Sequence, residues 1–270
     1  MRMLATFLLL VSIVGVSLAD DSRLEVVVLG KSHGFSRAEL EQALATHTLT
    51  VADPDHDRPL VYDAFALSDV LALAGAAASH GDELVFQARD GYAPTVPFGE
   101  LGQHAAYVAY REHGNPDGFG LVAQGKAMVS PAPYFLLWQE GKSLGPGFPW
   151  PYQLVRIELV DFATKYAALY PRDMAADTRE RRGFATFKIH CLRCHSINLQ
   201  GGDLGPELNV PKNITEYWPA AHLHAFIQDA SSYRARSKMP SFAKRLTSDE
   251  VDDLIAYLTL MKSRKSASAE

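Results

Sequence analysis

The stretch 191-CLRCH-195 holds the only two cysteines of this 270-residue chain, with a histidine directly behind the second. Residues three apart on a helix share a face, so the sulfurs of Cys191 and Cys194 can reach one partner together. A disulfide between them would close so short a loop that it would stabilise little through chain entropy. A thioredoxin-type dithiol belongs at the start of a helix in a βαβ unit, and no such pattern surrounds the motif. Zinc needs further cysteines or suitably spaced histidines, which are missing. The remaining reading is one covalent haem c, with thioethers from Cys191 and Cys194 to the vinyl groups and the imidazole of His195 on the iron.

Working outward, the segment 178–262 reads as helix. Asp177-x-x-Glu180 is expected to cap a helix on which Phe184, Phe187 and Cys191 recur at helical spacing. Thr247-x-x-Glu250 opens another, with Val251, Leu254, Ile255, Leu258 and Met261 in one apolar stripe. Between them lie a glycine-rich loop, 199–208, and a middle helix in EYWPAAHLHAFIQDA. Met239 stands 44 residues after His195, between Lys238 and Pro240 and off any apolar stripe, which marks it as the sixth iron ligand. His222 and His224 on the middle helix are the competing ligands. Arg234, Arg236, Lys238, Lys244 and Arg245 bracket Met239 and would make that side electropositive, suited to an acidic redox partner.

Together RGFATFKIHCLRCH, LGPEL and KMPSFAKRLTSDEVDDLIAYL resemble a class I cytochrome c over residues 178–262. The resemblance implies an all-α domain whose terminal helices cross at Gly183 against Tyr257. It also implies that Pro206 offers its carbonyl to His195, a bond that would orient the ring and tune the iron.

Upstream, the pattern changes. LEVVVLG (24–30), LVFQA (84–88), YFLLW (134–138) and VRIELV (155–160) read as strands, and AELEQALATH (38–47) and LSDVLALAGAA (67–77) as helices. This mixture predicts an α+β domain over residues 20–162, joined through a linker at 163–177 to the helical domain, with a polar, frayed tail at 263–270. The segment Asp20 to Arg172 carries 11 Lys+Arg against 19 Asp+Glu, whereas Asp173 to the end carries 14 against 12. An acidic domain is therefore joined to a slightly basic one.

FALSDVLALAG, DELVFQARDGYAPTVPFGEL and WPYQLVRIEL resemble, in shortened form, the molybdopterin-binding domain of the sulfite oxidase family. A haem-bearing partner is a recurrent companion of that family. Its molybdenum is held by a cysteine, however, and both cysteines here are committed to haem. Molybdopterin is therefore not expected, and the domain reads as a docking module or the site of a small ligand.

The first 19 residues have the form of a signal peptide: Arg2, an apolar run from Leu4 to Val16, then Ser17 and Ala19 at the positions a peptidase reads. The run falls short of the roughly 20 apolar residues that span hydrocarbon. The expectation is a periplasmic protein with no membrane span after cleavage, no nucleic-acid partner and redox proteins as partners. Asp53-Pro54-Asp55-His56-Asp57 opens like a calcium loop but has Arg58 at the glycine position and Ala64 at the twelfth, so a polar turn is expected. His33, His47, His56, His80, His104 and His113 show no ligand spacing and read as surface residues, with a metal site assembled in space as the alternative; Trp138, Trp150 and Tyr152 read as core or rim packing, with the lining of a ligand pocket or an electron path as the alternative. Three functions follow in order: an electron carrier with no catalytic residues, a dehydrogenase whose first domain feeds the haem, and a haem sensor that loses Met239.

Overall fold

A computed structural model describes residues 23–124 and 127–266. The expected signal peptide, Gly125–Lys126 and the last four residues of the expected tail lie outside them.

Among the described residues the β-rich part contains eleven strands: β1 (Leu24–Val28), β2 (Lys31–Phe35), β3 (His47–Val51), β4 (Leu60–Ala66), β5 (Glu83–Ala88), β6 (Thr95–Pro97), β7 (Ala106–Glu112), β8 (Val122–Gln124), β9 (Ala127–Val129), β10 (Phe135–Trp138) and β11 (Leu154–Val160). Strand β8 pairs with β9 in a separate two-stranded ribbon, and the other nine lie in two sheets. One runs β2-β1-β11-β5-β6 and is antiparallel except where β1 lies parallel to β11; the other runs β10-β7-β4-β3 and is antiparallel throughout.

Side-chain alternation assigns each strand's faces. On β5, Leu84 and Phe86 enter the core shared by both sheets, while Val85 turns the other way, into the core of the helical part. On β10, Leu136 and Trp138 enter the shared core, and Phe135 and Leu137 join a smaller cluster around Tyr62 and Phe119. Trp138 is fully buried and its Nε1–H donates to the carbonyl of Pro149 at 2.8 Å. The polar turn at 53–57 has a buried anchor: the Asp53 carboxylate accepts from the Tyr62 hydroxyl at 2.8 Å and from the Asp55 amide at 2.9 Å.

Two helices serve this part, α1 (Arg37–Ala43) and α2 (Leu67–Leu73), and both are shorter than the sequence pattern suggested. The β-branched run Thr46 to Val51 prefers the pleated sheet and becomes β3, which stops α1. A turn closed from the Gly75 amide to the Ala72 carbonyl stops α2.

The helical part comprises α3 (Phe162–Lys165), α4 (Arg179–His190), α5 (Ala220–Gln228) and α6 (Ser248–Met261), with a two-stranded ribbon of β12 (Ser196–Ile197) and β13 (Gln200–Gly201). The cap of α4 is Thr178, whose Oγ1 accepts from the Arg181 amide at 3.3 Å, one residue later than the expected Asp177 box. Thr247 and Glu250 form the reciprocal box expected on α6.

Helices α4 and α6 cross where a Cβ on Gly183 would stand 1.9 Å from the carbonyl oxygen of Asp253, so only hydrogen fits there. The close contact is thus Gly183 on the α6 backbone, while Tyr257 meets Phe184 and Phe187 with ring centroids 5.6 and 5.4 Å away. The stretch expected as a linker is packed as well: Tyr166 and Leu169 are buried, and the Tyr257 hydroxyl donates to the Leu169 carbonyl at 2.8 Å. Residues 263–266, expected to fray, are tied down instead. Arg264 forms a two-pronged pair with Asp173, and the Ser266 amide donates to Asn198 at 3.0 Å.

Candidate metal centre

Helix α4 delivers the CLRCH motif and then tightens around one carbonyl. The amides of Cys194 and His195 both donate to the oxygen of Cys191, at 3.0 and 2.8 Å. Both thiols are free, and burial pushes the Cys191 thiol up to about 12 and the Cys194 thiol up to about 11. Such thiols stay protonated at neutral pH, unlike the low-pKa thiolate of a redox dithiol.

His195 is fixed from two directions. Its Nδ1 lies 2.8 Å from the carbonyl oxygen of Pro206, which commits that nitrogen as donor and leaves Nε2 for a metal. A Cβ on Gly205 would lie 2.5 Å from Cε1 of the ring, so the chain passes flat against the imidazole only because glycine is there.

The loop carrying Gly205 and Pro206 is held by a polar network that sequence reasoning missed. The Glu207 carboxylate accepts four backbone amides, those of Asn198, Leu199, Asn209 and Val210, at 2.7 to 3.1 Å. Behind it run three buried asparagines: Asn209 donates to Asn198 at 2.8 Å, and Asn213 donates to Asn209 at 2.7 Å. Asn213 also reaches the Leu258 carbonyl of α6, at 2.9 Å. The only signal in the sequence was three asparagines in a short polar stretch, which reads equally as turn-forming residues.

Met239 packs, partly buried, against the helical core, and its chain neighbours Lys238 and Pro240 line a cleft of about 840 Å³ together with Cys194 and Leu204. The competing histidines are engaged elsewhere. His222 meets Trp218 edge-on at 4.6 Å, and His224 bonds Ser248 at 3.1 Å.

The opposite wall of that cleft belongs to the first part of the chain: Asp55, Asp90, Tyr92, Trp150 and Tyr152. Burial raises the pKa of Asp55, with Asp53 adding to it, and pushes Tyr152 up to about 12, with Asp55 and Asp90 adding to it. Lys238, Lys244 and Arg245 line the cleft on the helical side, and Lys142 joins Asp55 and Asp90 on the other. Arg234 stands instead over the rings of Trp218 and Phe226.

The docking of the two parts runs through the motif itself. The Ala93 amide donates to the Arg193 carbonyl at 2.7 Å, and the Asp203 amide donates to the Gly91 carbonyl at 3.0 Å. The Arg193 guanidinium reaches the Tyr92 hydroxyl at 3.2 Å and the Pro146 carbonyl at 2.8 Å, and also bonds the Ile189 carbonyl. Lys188 pairs with the nearly buried Glu83 at 2.9 Å.

Two thiols and an imidazole with its second nitrogen anchored form a donor set that fits haem c. Cys191, Cys194 and His195 would hold it from the motif side. Among the described residues, no three His, Cys, Asp or Glu side chains gather as a metal-holding group, and no helix is long and apolar enough to cross a membrane.

Residues 178–258 match the family described as cytochrome C oxidase, cbb3-type, subunit III. A search of the curated proteins finds no match. The C-terminal region is therefore a cytochrome c domain, which implies haem c and redox partners.

Proposed function

We propose that this protein is an exported, periplasmic single-haem cytochrome that passes one electron at a time. Cys191 and Cys194 would hold the haem through thioethers, and His195 Nε2 and Met239 would ligate its iron. The observation that carries this reading is the His195 Nδ1 contact with Pro206 at 2.8 Å, which orients the ring at the end of the cysteine turn. Bound haem supplies iron that alternates between Fe(II) and Fe(III), and a His/Met pair favours the reduced state. The chain's own part is to fix the imidazole through Pro206, Gly205 and the Glu207 staple, and to present a basic rim at Lys238, Lys244 and Arg245. That rim suits an acidic redox partner.

The first domain, 20–162, is on this reading a shortened relative of the sulfite oxidase molybdopterin domain that serves as a docking or ligand-binding module, without molybdenum. Segment 163–177 joins it to the cytochrome domain at 178–262, followed by the tail at 263–270. The test is a metal and cofactor inventory of mature protein made in a host competent for haem ligation. One iron and one covalently added tetrapyrrole per chain, in a periplasmic fraction, are expected; a polypeptide of unmodified mass would overturn the proposal.

A second reading, a dehydrogenase whose first domain oxidises a small substrate and feeds the haem, draws on the cleft that Tyr92, Trp150 and Tyr152 share with Cys194. A pterin or second metal in the same inventory favours it. A single iron with nothing else removes it.

A further inference from the structure

Five cations line the cleft beside Cys194, Lys142 from the β-rich part and Arg193, Lys238, Lys244 and Arg245 from the helical part, against two acids, Asp55 and Asp90. Among the described residues, none of the five is matched with a carboxylate. Arg193 spends its terminal nitrogens on neutral acceptors, the Tyr92 hydroxyl and the carbonyls of Pro146 and Ile189. Lys142 reaches the His56 carbonyl at 3.5 Å, and the exposed Lys238, Lys244 and Arg245 have no ion-pair partner among the described residues. Cations elsewhere in the helical part are paired, Lys188 with Glu83, Arg182 with Asp253 and Arg264 with Asp173.

The two acids are engaged on their own wall. Asp90 accepts from the Gln124 side chain at 2.8 Å and from the Tyr92 amide at 3.1 Å, and burial with Asp53 nearby raises the pKa of Asp55, so that it holds its charge less readily. His190, on the same cleft, senses the excess of positive charge: burial lowers its pKa, and Arg193 and then Arg245 lower it further. A cleft lined by an excess of one sign, with low-dielectric walls, concentrates ions of the other.

We infer that this cleft binds a small multivalent anion. Its volume of about 840 Å³ falls in the range of small-molecule sites, whereas a protein partner needs a broad surface. Lys142 stands on one part of the chain and Lys244 and Arg245 on the other, so an anion with several charges engages both walls and bridges the parts, which a single charge does less well. The competing occupant of the same chemistry is the pair of carboxylates carried by haem itself. The inference concerns the chain's own cations and does not rest on the assignment of the axial ligands.

The experiment is calorimetric titration of ferrocyanide into the haem-loaded full-length protein, kept reduced so that no electron transfer accompanies binding, at fixed ionic strength. Saturable one-to-one binding is expected. Lys142→Ala and Lys244→Ala should each weaken it about two- to fivefold, the loss of one exposed ion pair, and Lys142→Glu combined with Lys244→Glu should abolish it. Lys31→Glu makes the same change of charge on β2, outside the cleft lining, and should bind as the parent does. Equal weakening by Lys31→Glu, or parent affinity in both alanine variants, would overturn the inference. So would a haem-loaded protein with no saturable binding, which would give the cations to the haem carboxylates. The mass of the chain, read beforehand, tests the haem reading separately: an unmodified chain that still binds ferrocyanide through Lys142 and Lys244 supports this site.

Discussion

The amide of Ala93 donates to the carbonyl of Arg193 at 2.7 Å, joining the β-rich part to a residue that stands between the two motif cysteines. The Arg193 side chain reinforces the joint through Tyr92 and Pro146. The helical part therefore carries its neighbour on the CxxCH motif itself, and Tyr92 and Cys194 stand on the walls of one cleft.

Arg193→Ala removes the guanidinium bonds and keeps the backbone bond. Charge-assisted hydrogen bonds of this kind contribute about 1.5–3 kcal/mol each, reduced where solvent reaches them. Amide hydrogen exchange across residues 89–93 should accelerate, with both cysteines still able to carry haem. Unchanged protection there would show that Arg193 is not the latch.

Met239→Ala should abolish the methionine-to-iron absorption band of the oxidised protein and leave the covalent tetrapyrrole in place. Persistence of the band would show that another methionine supplies the sulfur, and its absence from the parent protein would return His222 or His224 to contention, although both rings are engaged elsewhere.

Gly183→Ala places a methyl carbon 1.9 Å from the Asp253 carbonyl oxygen. The helices must separate, at a cost on the order of 1–3 kcal/mol or more. The thermal midpoint should fall by several degrees; a midpoint within error of the parent would mean that the crossing tolerates a wider spacing.

Asp253 is held below the usual carboxylate range by its bond from Arg182, with Arg179 adding to it. Its folded pKa is depressed, so the unfolded chain binds the proton more readily. The stabilisation is present above the ordinary aspartate pKa, about 3.9, and is lost as pH falls through the lower folded value. Asp253→Asn should therefore be less stable than the parent at neutral pH and lose less stability on acidification. Parallel pH profiles for the two proteins would count against the pairing.

Asn209→Ala cuts the asparagine relay in the middle, leaving one N–H of the buried Asn213 amide without its acceptor, while Asn198 keeps the Ser266 amide. Loss of about 1–3 kcal/mol is expected for each group left unsatisfied. The loop bearing Pro206 should loosen, which a change in the haem midpoint potential would report. A variant with parent-like stability and potential would mean that Glu207 alone suffices.

The sequence by itself determined the motif, the helical class of its surroundings and four of the strands of the first part, β1, β5, β10 and β11, because these rest on local periodicity and on residue types with few uses. The pattern 191-CLRCH-195 and the stripe on α6 are of this kind, since short-range geometry alone places those side chains together. Only the tertiary structure decided where β-rich and helical parts meet, that Arg193 latches them, and that Glu207 and three asparagines brace the loop behind His195. Those arrangements bring together residues as far apart as Glu83 and Lys188, and hydrogen bonds at such separations leave no periodic trace in the chain. The capping shift from Asp177 to Thr178 and the early ends of α1 and α2 are local instead, each a choice between neighbouring residues with competing preferences.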